Sequence, residues 1–340
     1  MTVFITGGAG FIGCNLADYH LKRGDRVIVY DNLSRKGTDT NLSWLQANHG
    51  DALSFVRGDI CDFEALRSAL PPEAERVYHM AGQVAVTTSV VDPRSDFEAN
   101  ALGTFNVLEA VRQVAPQASL FYASTNKVYG GMEEVAIVEE EKRYRYRDLP
   151  QGVPETQTLD FHSPYGCSKG CGDQYVRDYA RIYGLRGVVF RQSCIYGTRQ
   201  FGVEDQGWVA HFCIAARLGR PISIYGNGKQ VRDVLWIGDL IAAYEAAAAH
   251  IDRAAGQIYN IGGGPQNTMS IWAEFGPILE ELAGHPLPVT YGDWRPGDQP
   301  VYISDIRKAE AELAWRPQVS VLNGVERLWR WIDANPGLFG

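Results

Sequence analysis

Tyr165 and Lys169 stand four residues apart near the middle of a 340-residue chain. On a helix that spacing puts both side chains on one face. A phenol of ordinary pKa, near ~10, becomes a useful base at neutral pH only if its phenolate is preferentially stabilised by roughly 4 kcal/mol. A neighbouring ammonium supplies part of that, and a positively charged nicotinamide ring adds to it. Thr125, beside Ser124 at the end of an apolar run, would hydrogen-bond a reacting hydroxyl and hold it at the tyrosine. The chemistry open to this set is removal of a hydroxyl proton while a hydride leaves the same carbon.

The hydride needs an acceptor, and the opening residues offer a place for one. Gly7-Gly8-Ala9-Gly10-Phe11-Ile12-Gly13 follows a first apolar run and opens an amphipathic one. Glycines at 7, 10 and 13 permit a tight turn and let a pyrophosphate approach a helix N-terminus. Asp31 closes the second apolar run, 18 residues after Gly13. A carboxylate there would accept hydrogen bonds from the adenosine ribose and repel the 2′-phosphate of NADP, so the cofactor expected is NAD. Asp59-Ile60 and Ala81-Gly82-Gln83 end the third and fourth runs, where a cofactor would meet them in series.

The elements that must position these residues are readable from periodicity. Val3–Thr6, Arg26–Tyr30, Ser54–Arg57, Arg76–Met80, Ser119–Ala123 and Gly187–Gln192 read as strands. Asn15–Arg23, Phe63–Ala69, Asp96–Val114 and Lys169–Tyr183 read as helices. Alternation of the two predicts an α/β fold of Rossmann type, a doubly wound parallel sheet covered on both faces. Residues 1–194 form its domain, with segments around 234–262 returning to it. A smaller substrate domain, mainly 195–340, follows where Gly and Pro interrupt shorter pieces, and a cleft between the two is the expected ligand site. Residues 131–163, dense in charge and aromatics, read as a functional loop. Ile241–Ala249 reads as a buried helix.

Composition narrows the partners. The formal net charge of −8 argues against nucleic acid and anionic membranes. No apolar run is long enough to span a bilayer. The chain passes from Met1 straight into a strand, which places it in the cytoplasm. Six cysteines are scattered without a ligand-like cluster, so they read as reduced structural thiols and no metal is expected.

Taken together, Gly7–Gly13, Asp31, Thr125, Tyr165 and Lys169 resemble the extended short-chain dehydrogenase/reductase family along essentially the whole chain. More narrowly, 81–85, 124–130, 159–170 and 200–209 resemble its CDP-paratose (CDP-tyvelose) 2-epimerase subfamily. The resemblance implies an NAD-dependent enzyme acting on a CDP-linked hexose, assembled as a homodimer or homotetramer through 96–114 and 169–183. By position it adds Phe11, Ile12, Asn32, Asn100 and Ser124 to the cofactor contacts. It likewise implies a substrate set of Thr125, Asn126, Lys127, His162, Gln206, Trp208, Val209, Tyr225, Arg232, Arg295 and Asp298. The two arginines would hold the diphosphate, Asp298 the nucleotide ribose, and the 131–163 stretch with His162 would close over the sugar.

C2 of a nucleotide sugar has no adjacent carbonyl, so inversion there requires transient oxidation to a 2-keto sugar and return of the hydride to the other face. Sugar-nucleotide 4,6-dehydratases, the main rival within the fold, place an Asp-Glu pair after the threonine. Asn126 and Lys127 stand there instead and cannot do a carboxylate's work. The same fold also accommodates a 4-epimerase or a non-catalytic NAD-binding regulator.

Overall fold

The computed structural model describes residues 1–204, 206–295 and 298–339. Asp205, Pro296 and Gly297, within or beside the motifs above, lie outside the described residues. The chain divides into two compact units. Unit 1 comprises Met1–Val128, Ser163–Arg191 and Ala243–Tyr259, and unit 2 comprises Tyr129–His162, Gln192–Ala242 and Asn260–Gly340. Residues 129–162, expected in the first domain from their place in the sequence, thus belong with unit 2.

Unit 1 alternates β1 (Thr2–Thr6), α1 (Phe11–Lys22), β2 (Arg26–Asp31), α2 (Thr38–His49), β3 (Leu53–Arg57), α3 (Phe63–Ala69) and β4 (Arg76–His79). It continues through the short helices α4 (Val86–Val91) and α5 (Pro93–Phe97), then α6 (Gly103–Val114), β5 (Ser119–Thr125) and α7 (Ser163–Tyr183). The strands are rich in β-branched residues that suit a sheet buried on both faces. A seven-stranded sheet results, in the order Ile258–Ile261, Arg186–Gln192, β5, β4, β1, β2, β3. The pairs β3–β2, β2–β1, β1–β4 and β4–β5 all run parallel. Because β1 lies between β2 and β4, the strand order reverses at β1, and ligands of such sheets bind at the carboxyl ends of the strands at that reversal. Phe4, Ile28, Val77, Leu108, Tyr122 and Val176 belong to the core that holds the sheet to its helices.

Two elements depart from the periodicity. The expected helix 96–114 is broken by a π-turn, Glu98–Leu102, between α5 and α6. Helix α2 escapes the pattern because its buried positions include polar Thr38 and Asn41 beside Leu42 and Leu45.

Unit 2 holds a three-stranded sheet, Thr268–Ser270, Val231–Asp233 and Val301–Tyr302, and a parallel pair, Ile222–Tyr225 with Val289–Gly292. Helices Trp208–Arg217, Phe275–Ala283 and Val321–Ala334 share one core through Phe212, Phe275 and Leu328. The stretch that reads as a loop contains an antiparallel hairpin, Ile137–Glu139 with Tyr144–Tyr146. That hairpin is pinned by Lys229 to Glu139 at 2.8 Å and by Tyr146 Oη donating to the Val301 carbonyl at 2.9 Å. The alanine-rich helix runs Ile237–Ala249. Among the described residues no helix is long and apolar enough to cross a membrane.

Candidate active site

The turn after β1 is built by glycine. Gly7 has φ +67°, and a Cβ added to it would stand 2.5 Å from the Ala81 amide nitrogen. A Cβ on Gly13 would lie 2.2 Å from the Gly7 carbonyl, so α1 crosses the turn at backbone contact. Gly10 is the N-cap of α1 and no side chain caps it, which leaves that N-terminus open to an anion, with Phe11 and Ile12 in the first turn. Asp31 accepts hydrogen bonds from the Ala9 N–H at 3.0 Å and the Leu33 N–H at 2.8 Å. Asn32 Nδ2 donates to Asp59 at 2.8 Å, joining the ends of β2 and β3. Burial pushes the Asp59 carboxyl up, but hydrogen bonds from Cys61 and Asn32 outweigh it and hold it below the usual range.

Not every expected cofactor residue has a free side chain. Ile60 is in the core against Gly103, and its carbonyl accepts from Asn106 Nδ2 at 2.9 Å. Gln83 donates to the Ala85 carbonyl at 2.7 Å and to Asp96 at 3.0 Å. Ser124 donates to Asp173 at 2.9 Å, and Asp173 is held by Arg191 through two contacts of 2.9 Å. Asn100 is different. Its Nδ2 donates to Asp96 and Ser168, while its buried Oδ1 has no hydrogen-bond partner and faces Gly82. An orphaned acceptor, a glycine cradle and a carboxylate at the end of β2 together fit a dinucleotide.

Thr125, Tyr165 and Lys169 are brought together in unit 1, all buried. Tyr165 lies in the first turn of α7, where Ser163 Oγ accepts from the Gly166 N–H at 3.2 Å. Thr125 is near enough to the Tyr165 hydroxyl to act on its ionisation, and its Oγ1 accepts from the Lys127 N–H at 3.2 Å. Thr125 Oγ1 further contacts Asn126 Oδ1 at 3.3 Å. Lys169 Nζ stands 4.4 Å from the ring centroid of Tyr122.

Burial pushes the Tyr165 hydroxyl up to about 12, against the pull of Thr125, with Asp96 raising it further and Arg35 drawing it down. Spacing alone suggests that the lysine lowers it, but in the chain by itself desolvation wins. Burial pulls Lys169 down to about 8, opposed by the carboxylates of Asp96 and Asp173.

In unit 2, Arg232 is buried and donates to Asp298 at 2.6 Å and to its neighbour's carbonyl at 2.8 Å. Arg295 lies 3.9 Å over the Tyr225 ring and 3.2 Å from Glu204, which also accepts from the Tyr225 hydroxyl. Glu204 lies within the 200–209 motif, but a loop carboxylate in a sequence reads as solvated, so its contact with both residues emerges only in the fold. Gly207 caps helix Trp208–Arg217 with no side-chain contact, and Gln206 makes a backbone bridge to Val203. The Trp208 indole reaches Cys194 at 3.5 Å, and Val209 is a core residue that offers a ligand only its backbone. His162 is exposed and held by Asp160 at 3.1 Å. Among the described residues, no group of three or more His, Cys, Asp or Glu side chains is placed to hold a metal ion.

A parallel sheet with a glycine turn at its reversal and a Thr–Tyr–Lys set at the carboxyl end of β5 defines a nucleotide-sugar-modifying short-chain dehydrogenase/reductase. The profile of the GDP-mannose 4,6-dehydratase family matches residues 4–328, and the chain belongs to that family. It is 46% identical over 342 residues to the CDP-paratose 2-epimerase of Salmonella typhi, covering 98% of this chain and 100% of that protein. The UDP-glucose 4-epimerase of Thermotoga maritima, solved with UDP-glucose, is 30% identical with a TM-score of 0.84, covering 99% of this chain and 100% of that one. That of Thermus thermophilus, solved with NAD, is 31% identical with a TM-score of 0.81, covering 98% and 99%.

Proposed function

We propose that the chain is an NAD-dependent epimerase that inverts C2 of a CDP-linked hexose. The observation that carries this reading is the buried Thr125–Tyr165–Lys169 set in the same unit as the Gly7–Gly13 turn and Asp31. The 46% identity to a CDP-paratose 2-epimerase supports C2 and the cytidine nucleotide. Asn126 and Lys127, rather than a carboxylate pair, follow the threonine and speak against dehydration.

NAD would be held by the Gly7–Gly13 turn, the α1 N-terminus, Asp31 and Asn100, and when bound it supplies a hydride acceptor that later gives the hydride back. The protein's residues do the rest. Thr125 orients the C2 hydroxyl, and Tyr165 takes its proton as the hydride leaves C2. The resulting 2-keto sugar turns over, and Tyr165 returns the proton when hydride adds to the opposite face. Lys169, one helical turn along α7, supplies positive charge to the site. Unit 1 is then the cofactor domain. Arg232 and Arg295, within unit 2, would hold the diphosphate, so that remote binding energy keeps the nucleotide in place while the hexose turns.

Exposed Phe97, Leu102 and Phe105 lie along the α5–α6 segment, and exposed Tyr175, Ile182 and Tyr183 lie along α7. This apolar surface supports a homodimer, with a homotetramer as its further assembly. Incubation with CDP-paratose and CDP-glucose, followed by NMR of the ring protons, tests the activity. Inversion at C2 is expected, inversion at C4 would point to a 4-epimerase, and loss of water to a dehydratase.

A further inference from the structure

Asp96, on α5, is wholly shielded from solvent. Its carboxylate accepts hydrogen bonds from Ser168 Oγ at 2.5 Å, Gln83 Nε2 at 3.0 Å and Asn100 Nδ2 at 3.1 Å. These donors come from three parts of the candidate site: the loop after β4, the π-turn, and α7 between Tyr165 and Lys169. A carboxylate whose partners are all donors is arranged as the ionised form. A buried charge served only by neutral donors still calls for an opposite charge nearby.

Among the described residues, Lys169 is the cation that acts on Asp96. From α7 the titratable neighbours are Tyr165 and Lys169. Arg35, in the turn after β2, acts on Tyr165. Arg94 and Glu98, flanking Asp96 in its own segment, pair with each other at 2.9 Å. His79, pushed down to about 3 by burial and then by Lys169, is neutral. Asp173 also acts on Lys169, but it is committed to the buried guanidinium of Arg191.

We propose that Asp96 is a positioning residue for the Tyr165–Lys169 pair: it is the fixed negative charge that keeps Lys169 an ammonium, and it ties α7 to the cofactor loop. This rests on the reading that Tyr165 and Lys169 carry the chemistry. Burial raises the Asp96 carboxyl above the usual range, and the Ser168 hydrogen bond and then Lys169 draw it back only in part. Asp96 in turn opposes the burial that pulls Lys169 down to about 8.

The test is a titration of the cofactor-loaded protein labelled at lysine Cε, with Lys169 identified among seven lysines by its loss in Lys169→Met. In Asp96→Asn the Lys169 midpoint should fall by about one pH unit. The alkaline limb of kcat/KM should move with it, lowering the rate at pH 8 about five-fold. Asp96→Glu should restore the midpoint. Asp96→Ser removes the same charge with less bulk and serves if the amide variant does not fold. An unmoved midpoint in a folded neutral variant overturns the proposal. So does failure of both neutral variants to fold while Asp96→Glu folds with a midpoint unlike the wild type. A wild-type protein inert towards CDP-hexoses, with the midpoint still falling in Asp96→Asn, would sink the epimerase reading and leave the electrostatic role in place.

Discussion

Tyr165 sits where burial, with Asp96 adding to it, holds its hydroxyl up at about 12 against Thr125 and Arg35. Freeing the phenolate that takes the C2 proton near neutrality would take roughly 7 kcal/mol, more than one ammonium supplies, so the positive charge of a bound nicotinamide ring would have to supply part of it. Tyr165→Phe should therefore cut kcat by about 10³-fold while leaving the affinity for NAD within about two-fold, measured by turnover and by cofactor titration. Lys169 carries a cost in the other direction. Its pKa falls from 10.5 in the unfolded chain to about 8 on burial. Between those values the unfolded chain binds more protons, so stability rises with pH across that window. Below about pH 8 the whole burial cost, roughly 3 kcal/mol, is present. Lys169→Met should thus raise the urea midpoint at pH 7 and raise it much less at pH 10.5. Equal gains at both would show that the ammonium is not strained.

The strand–turn–helix at the start of the chain is legible in the sequence because its constraint is local. The apolar strand, the glycines and Asp31 all act within one βαβ segment, and the structure closes that turn at backbone contact. Gly13→Ala should cost about 2–3 kcal/mol, read from the denaturant midpoint, since the atom met is a carbonyl that cannot move aside. The π-turn Glu98–Leu102 is not legible, because its residues continue a helical pattern and the extra residue per turn shows only in the backbone. Asp96 is hidden for the same reason: a carboxylate on an amphipathic helix reads as solvated, and its partners come from residues 83, 100 and 168. The hairpin at 137–146 is obscured by its charge, since Arg143 pairs with Glu274 and Lys229 with Glu139 across long sequence separations. Thr125, Tyr165 and Lys169 are found by spacing and residue type, which a helix preserves. The state of their protons is not, because it depends on burial.

At the scale of the whole chain, unit 1 draws on three separated segments, since one sheet takes strands from 186–192 and 258–261 as well as from the first half. Periodicity finds such strands but cannot say which sheet they join. Among the exposed apolar residues of unit 1, Phe105 meets Tyr175 edge-on at 6.0 Å. Phe105→Glu should convert a dimer to a monomer in light scattering without lowering the unfolding midpoint of the monomer. The epimerase mechanism stands on one pathway for the hydrogen at C2. Incubating the NAD-loaded protein with a CDP-hexose in deuterated water and reading C2 by NMR tests it most directly. The prediction is inversion with the original hydrogen retained at C2. Deuterium at C2 of the inverted sugar would mean direct deprotonation and would contradict it.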